Sequence, residues 1–431
     1  MFEKITKDML KFIDASPTCY HVINNMEKRL EAEGYTKLRE SEDWKIKAGG
    51  KYYVNRNGSS IISFQIPKKD FKGFLMTASH SDSPSFKIKE NPEMPEGGMY
   101  VKLNVEGYGG MLDGPWFDRP LSIAGRVFVK DDDNNISMKL VNIDRDLVMM
   151  PSLAIHMNRE ANSGYKFNAQ KDMQPIFGDI ASKGTYNKTV AKAAGVKESD
   201  VIGSDLFLYN RVKPTVWGAG KEYISSSRLD DQECVYTTFE AFLNSASSSH
   251  VLMHCVFDNE EVGSGTKQGA ASTFLKDTLE RICDGCGRTR QQYHTALARS
   301  FMLSADNAHA MHPNHGDKAD PVNRPCMNKG IVIKFNANQK YTTDGASEAM
   351  LRMVLDRAKV PYQMFTNRSD MPGGSTLGNI SNTQVALNTV DIGLAQLAMH
   401  SPYETAGSKD PKYMAEGVKA FYESNIDIHI S

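Results

Sequence analysis

The run Gly73-Phe-Leu-Met-Thr-Ala78, followed at once by Ser79-His80-Ser81-Asp82, is apolar enough for a buried strand and delivers a histidine and an aspartate at its carboxyl end. Outward from it the same pattern recurs three times. Glu260 and Glu261 follow the apolar run Val251-Leu-Met-His-Cys-Val-Phe257, and Asp306 follows Phe301-Met-Leu-Ser-Ala305. His400 follows the last strand, in Leu397-Ala-Met-His400-Ser-Pro. Ligand sites of open α/β sheets lie beyond the carboxyl ends of the strands, so four such ends would converge on one crevice. Taken singly, a histidine after a strand is an ordinary hydrogen-bonded loop residue, and Glu-Glu is an ordinary helix start. Coincidence at four strand ends, all with metal-ligand residue types, favours a site.

The surrounding pattern predicts the sheet that these strands need. Helical stripes run through Ile5 to Ile13 and Tyr20 to Leu30, and strand-like runs cover Tyr52 to Asn55 and Ser60 to Gln65. Beyond Arg228, helices (about 232–245, 269–279, 288–297, 347–358 and 413–425) alternate with strands (about 250–257, 300–305, 361–366 and 384–389). Such alternation predicts an α/β fold with a mixed, mainly parallel sheet flanked by helices. Between about Glu93 and Tyr223 the texture becomes β-rich, with many glycines, the acidic turn Asp131-Asp132-Asp133-Asn134-Asn135 and the alternating stretch Ile136 to Ile143. Residues 158–200 read as polar surface loops. The expected organisation is one discontinuous domain (1–92 and 224–431) interrupted by an inserted β-rich domain (93–223).

The chain has 431 residues, 51 Lys+Arg against 52 Asp+Glu, and a net charge of −1. That balance argues against binding nucleic acid by counterion release and against a polybasic membrane anchor. No apolar run approaches the ~20 residues that cross a bilayer. The N-terminus lacks the basic and apolar regions of a signal peptide, and six cysteines make no disulfide framework, so a cytoplasmic location is expected. Cys283-Asp-Gly-Cys286 has no second pair with which to complete a zinc site.

Further motifs run from end to end: Phe12-Ile-Asp-Ala-Ser-Pro-Thr18, His80-Ser-Asp-Ser-Pro84, Trp116-Phe-Asp-Arg-Pro-Leu-Ser-Ile-Ala-Gly-Arg126, Pro151-Ser-Leu-Ala-Ile-His156 and Ser227-Arg-Leu-Asp-Asp231. Asp258-Asn-Glu-Glu-Val-Gly-Ser264, Ser304-Ala-Asp-Asn-Ala-His-Ala-Met-His-Pro313, Asp370-Met-Pro-Gly-Gly-Ser-Thr376 and Met399-His-Ser401 complete the set. In this order they resemble the aspartyl aminopeptidase family, the dinuclear zinc exopeptidases of metallopeptidase family eighteen, in a bacterial-type version.

The resemblance implies a zinc-peptidase-like fold whose inserted domain builds dimers that assemble into a dodecamer. It also implies two zinc ions bridged by Asp230, one completed by His80 and Asp306, the other by Glu261 and His400. Each zinc then has four-coordination with a shared water, and cobalt or manganese are possible substitutes. Glu260 matches the general base, and Asp82 is placed to accept the other ring N–H of His80. His156 matches a histidine that reaches a neighbouring subunit's site. Gly374 and Ser375 sit in a Gly-Gly-Ser-Thr loop that allows close approach to a substrate, and no Gly-Lys-Ser/Thr follows to make it a phosphate loop. Asp118 is left structural. Of His309, His312 and His315, two are expected to support the site loop.

Acid-selective members are expected to place a basic residue against the substrate's carboxylate. Here Asn338 stands at that position and Lys340 lies two residues on, about 7 Å away if the segment is a strand. The implied activity is release of an acidic or neutral N-terminal residue from short peptides. A related amidohydrolase acting on acylated amino acids and a non-catalytic peptide-binding scaffold are the rival readings. Complete ligand positions and Glu260 count against the scaffold.

Overall fold

The computed structural model describes residues 4–424 apart from Asp132, Asn134 and Ser248. Two residues of the acidic turn, and the expected helix end at Asn425, therefore lie outside the described residues. The central sheet has nine strands, and four adjacent ones are parallel: His250–Phe257, Gly73–His80, Phe301–Ala305 and Asn388–Gly393. Ile331–Phe335 runs antiparallel beside the last of these and parallel to the edge strand Tyr362–Thr366. Ser60–Gln65, Lys51–Arg56 and Thr36–Leu38 finish the other edge. The result is the mixed, mainly parallel sheet that the alternation predicts.

Period-two alternation buries both faces of this sheet. Phe74, Met76 and Ala78 point into one core with Met253, Phe257 and the helix Phe274–Gly285. Leu75, Leu252, Leu303 and Val390 point into the opposite core with the helices Leu229–Leu243, Gly345–Ala358 and Asp410–Tyr422. With both faces covered, the strand ends are the places left for chemistry.

A second, six-stranded antiparallel sheet runs in the order Ile136–Asn142, Leu121–Lys130, Val201–Asn210, Ser85–Glu96, Tyr100–Tyr108, Ile176–Asp179. The expected junction at 92/93 falls inside Ser85–Glu96, which is one strand with a bulge between Ile88 and Glu93, so this sheet starts at Ser85. The other junction, 223/224, cuts Tyr223–Ser226, a strand of a third sheet that also holds Thr215–Trp217, Glu404–Gly407, Ala395–Leu397 and Ala308–His309. Residues 158–200 are not all loop. The helix Tyr186–Ala194 seats Tyr186, Val190 and Ala191 against the second sheet, a stripe too short to stand out among polar neighbours.

The strand expected at 384–389 lies instead at Asn388–Gly393. The apolar residues ahead of it close a turn behind the short helix Leu377–Ser381, where Gln384 and Val385 N–H groups both reach the Ser381 carbonyl. No helix among the described residues is long and apolar enough to cross a membrane.

Candidate metal centre

Register aligns three of the ligand-bearing strand ends. Phe257 pairs with His80, the last residue of its strand, and Ser304 pairs with Ala78, which brings Asp306 level with His80. Glu260 and Glu261 begin a 3-10 turn three residues beyond Phe257. His400 arrives differently from expectation: it follows Ala395–Leu397 of the third sheet, not a strand of the central one. Asp230 comes from the start of the helix Leu229–Leu243, and strand pattern gives no hint of it.

Two histidines approach opposite oxygens of Asp230. His80 Nε2 lies 3.4 Å from Asp230 Oδ1 and 3.9 Å from Asp306 Oδ1. His400 Nε2 lies 3.7 Å from Asp230 Oδ2 and 3.4 Å from Glu261 Oε2. One potential ligand atom from each of His80, Asp230 and Asp306 lies within 4.8 Å of the others, and the same holds for Asp230, Glu261 and His400. Buried Asp230 Oδ1 and Glu261 Oε1 have no hydrogen-bond partner. A buried carboxylate oxygen without a donor is costly unless a cation completes it, so the donor set fits a divalent metal centre. Imidazole with carboxylate suits zinc, cobalt or manganese.

The charges demand compensation. Asp82, Asp230, Asp231, Glu260, Glu261, Asp306 and Glu404 crowd around two histidines and one buried lysine, Lys334. Burial, joined by the charges of Asp306, Asp82 and Asp230, lifts Glu260 to about 8 even with His80 opposing. Burial and Asp230 push Glu261 well above the usual carboxylate range. His80 is pushed up although burial opposes its charge, because the nearby carboxylates of Asp230, Asp306 and Asp82 outweigh that cost. Asp306 moves down against its burial, chiefly through Lys334. The raised carboxylates and imidazole mark an excess of buried negative charge that a cation would offset.

Outer contacts lock the frame. Asp82 receives the Glu260 and Glu261 main-chain N–H groups, each at 3.2 Å. His80 Nδ1 lies 3.1 Å from the main-chain oxygen of Asp82 and 3.3 Å from its carboxylate, so both offer the ring N–H an acceptor. Glu404 accepts from Asp230 N at 3.0 Å and from His400 N at 2.8 Å. Lys334 Nζ donates to the Asp306 carbonyl at 2.7 Å. A cavity of about 650 Å³ opens over the centre, lined by His80, Asp230, Glu260, Asp306 and His400 together with Tyr341, Met399, Gly374 and Ser375.

Other expected residues lie elsewhere. Lys340 is exposed and outside the lining. The strand ends at Phe335, and Asn336 then closes a turn on Asn338 and Gln339, so Asn338 and Lys340 share no strand face. His156 is exposed on a loop after the second sheet's Ile136–Asn142 strand and does not line the cavity of its own chain. Of the three spaced histidines only His309 lines the cavity, while the His312 and His315 rings pack on each other at 4.9 Å. Asp118 caps the Ser152 N–H at 2.8 Å, a structural contact. Sequence reasoning missed Lys334, Glu404 and Tyr108. For Lys334 a signal existed, a lone charge inside Ile331-Val-Ile-Lys-Phe335; the other two carried none.

A family model described as aminopeptidase I zinc metalloprotease (M18) matches residues 12–422. The probable M18 family aminopeptidase 2 of Clostridium acetobutylicum is 46% identical over 426 residues, covering 97% of this chain and 98% of that protein. A chain in the cryo-EM structure of the Ape4 and Nbr1 complex superposes with a TM-score of 0.94 at 37% identity, covering 97% of this chain and 85% of that one. The S. cerevisiae mApe1 dodecamer gives a TM-score of 0.85 at 29% identity, covering 97% and 96%. The chain belongs to the M18 family of aminopeptidase I zinc metalloproteases and is a metalloaminopeptidase, a hydrolase.

Proposed function

We propose that this enzyme releases the N-terminal residue of short peptides with a free α-amine, using two divalent cations, zinc by family. His80 and Asp306 would hold one, Glu261 and His400 the other, with Asp230 between them. The observation that carries this reading is the pair of histidines facing opposite oxygens of Asp230, at 3.4 and 3.7 Å. A bound cation pair supplies Lewis-acid polarisation of the scissile carbonyl and a more acidic attacking water.

Glu260 stands at the cavity wall, where its carboxylate takes the proton of that water and returns it to the leaving amine. Glu260 is raised by burial and by neighbouring carboxylates, and bound cations would offset the second contribution, which would let it act as a base near neutrality. Asp82 holds the Glu260–Glu261 turn and the His80 ring in place. The main chain at Gly374 and Ser375 borders the space that a substrate would fill.

Self-assembly accompanies the chemistry. Leu153, Ile155 and Met157 stand exposed around His156, with Met157 at 75% of its full accessibility. A second copy would cover these side chains and bring His156 to a neighbouring cavity. The mApe1 relative is described as a dodecamer, and the same closed assembly would admit only short or unfolded peptides.

The test is mass spectrometry of a mixed peptide set, free and N-acetylated, incubated with zinc-loaded enzyme. Free peptides alone should lose their N-terminal residue, and the order of release ranks neutral against acidic residues. Intact free peptides under zinc, cobalt and manganese would overturn the proposal, and cleavage of the acetylated set would favour an amidohydrolase.

A further inference from the structure

One short segment of the six-stranded sheet touches the metal centre at three points. Tyr108 ends the strand Tyr100–Tyr108, and its phenol donates to Asp82 Oδ2 at 2.6 Å. Asn259 Nδ2 reaches the same phenol oxygen at 2.8 Å, while Asn259 Oδ1 is taken by Thr266 Oγ1 and Gln268 Nε2, each at 2.8 Å. The amide can therefore only donate to the phenol, and the phenol's own proton is directed at Asp82. Gly109 follows with φ +74°, and a Cβ there would lie 3.1 Å from Glu261 Cβ. Leu112 N then donates to the His400 carbonyl at 3.1 Å.

We propose that Tyr108–Leu112 is a strap by which the second sheet positions ligands supplied by the rest of the chain, with Tyr108 as its principal positioning residue. The proposal rests on the assignment of His80, Asp230, Glu261, Asp306 and His400 as metal ligands. Asp82 serves His80 and both main-chain amides of the Glu260–Glu261 turn with two oxygens. The phenol fixes one of those oxygens, so its loss frees the carboxylate to rotate and loosens both groups. Outer partners of this kind tune metal affinity by about 10- to 100-fold. Gly109 contributes space, and Leu112 holds the loop that carries His400.

Tyr108→Phe tests this with a single atom. The ring also packs edge-on against Phe207, with centroids 5.6 Å apart at 81°, and phenylalanine keeps that contact. Zinc affinity of the metal-free full-length protein is measured by competition with a chromogenic chelator, beside Gly109→Ala and the exposed same-strand control Glu106→Gln. Tyr108→Phe should weaken binding about tenfold or more. Its kcat should fall at limiting zinc and recover in excess, with KM within about twofold. Gly109→Ala should shift binding the same way, and Glu106→Gln should match wild type.

The melting temperature of metal-free Tyr108→Phe should stay at the wild-type value. Wild-type zinc affinity in Tyr108→Phe overturns the proposal, as does a loss of affinity that only follows a lowered metal-free melting temperature. Failure of the ligand assignment would look different: wild-type protein would take up no zinc, or His400→Ala would bind it as well as wild type does.

Discussion

The strands His250–Phe257 and Ile136–Asn142 both carry apolar residues, yet the first is buried at every position and the second begins with four exposed ones. His250–Phe257 lies inside the nine-stranded sheet, at one end of its parallel group and paired on the other side with Ser60–Gln65, and every side chain there meets protein. Ile136–Asn142 is an edge strand of the antiparallel sheet, and Ile136 keeps 66% of its accessibility. A sheet covered on both faces leaves only its strand ends for chemistry, and His80, Glu260, Glu261 and Asp306 cluster there. An exposed edge strand keeps apolar side chains available for another surface, and Met157 and Ile155 extend that availability into the following loop. Candidate chemistry at the strand ends and exposed apolar side chains on the second sheet are thus kept apart, and the division can be attacked experimentally.

The largest expected effect belongs to the strand ends. Glu260→Gln should lower kcat by about 10²- to 10⁴-fold while leaving zinc content and oligomer size unchanged, as read by steady-state kinetics, elemental analysis and light scattering. A variant that lost zinc or subunits together with activity would make Glu260 a structural residue and blur the division. Next comes the packing itself. Phe74→Ala in the central sheet should cost about 3–5 kcal/mol in denaturant unfolding, because Phe74 is fully buried beside Met253 and Phe274. Met157→Ser should change unfolding of the isolated chain by about 0.5 kcal/mol or less and should instead weaken self-association. Equal losses from the two would mean that the exposed loop around Met157 is already part of a core.

What the sequence made legible follows the same division. Fully buried strands announce themselves as apolar runs, so His80, Glu260, Glu261 and Asp306 could be found from the ends of Gly73–His80, His250–Phe257 and Phe301–Ala305. Asp230 sits at a helix start and Glu404 in a short strand of the third sheet. No periodicity marks either position, and only motif resemblance reached Asp230. Tyr108 looks like any aromatic at a strand end, since its partner Asp82 is 26 residues away. Nothing in the pattern around Lys340 marks the strand end at Phe335 or the turn that Asn336 closes.

A third prediction concerns protons. In the metal-free centre burial and the Asp230 charge raise Glu261, and the carboxylates around His80 raise its ring against burial, so both proposed ligands are shifted toward their protonated forms. A proton on Glu261 or on the coordinating nitrogen of His80 must leave before a cation binds, since carboxylate and imidazole ligands coordinate deprotonated. The sign is the same for both: apparent metal affinity rises with pH, by about tenfold per pH unit for each proton displaced. Cobalt titrations at a series of pH values read that slope, and calorimetry in buffers of different ionisation enthalpy counts the protons. A flat profile would mean that the carboxylates are already ionised and that no proton stands in for the metal.

The smallest effect separates two lysines six residues apart. Lys334 is buried, donates to the Asp306 carbonyl and lines the cavity, so it is committed to the frame of the centre. Lys340 is exposed beyond the turn that follows the same strand. Its ammonium therefore stays in water, where a charge contributes little to binding at a distance. Lys340→Ala should alter kcat/KM by less than about twofold for peptides with acidic and with neutral N-terminal residues alike. A drop of about tenfold or more confined to the acidic peptides would show that the turn folds over the cavity when substrate binds. The preference would then lie in a loop that moves, and the division between a rigid chemical sheet and an adaptable second sheet would need a third, mobile part.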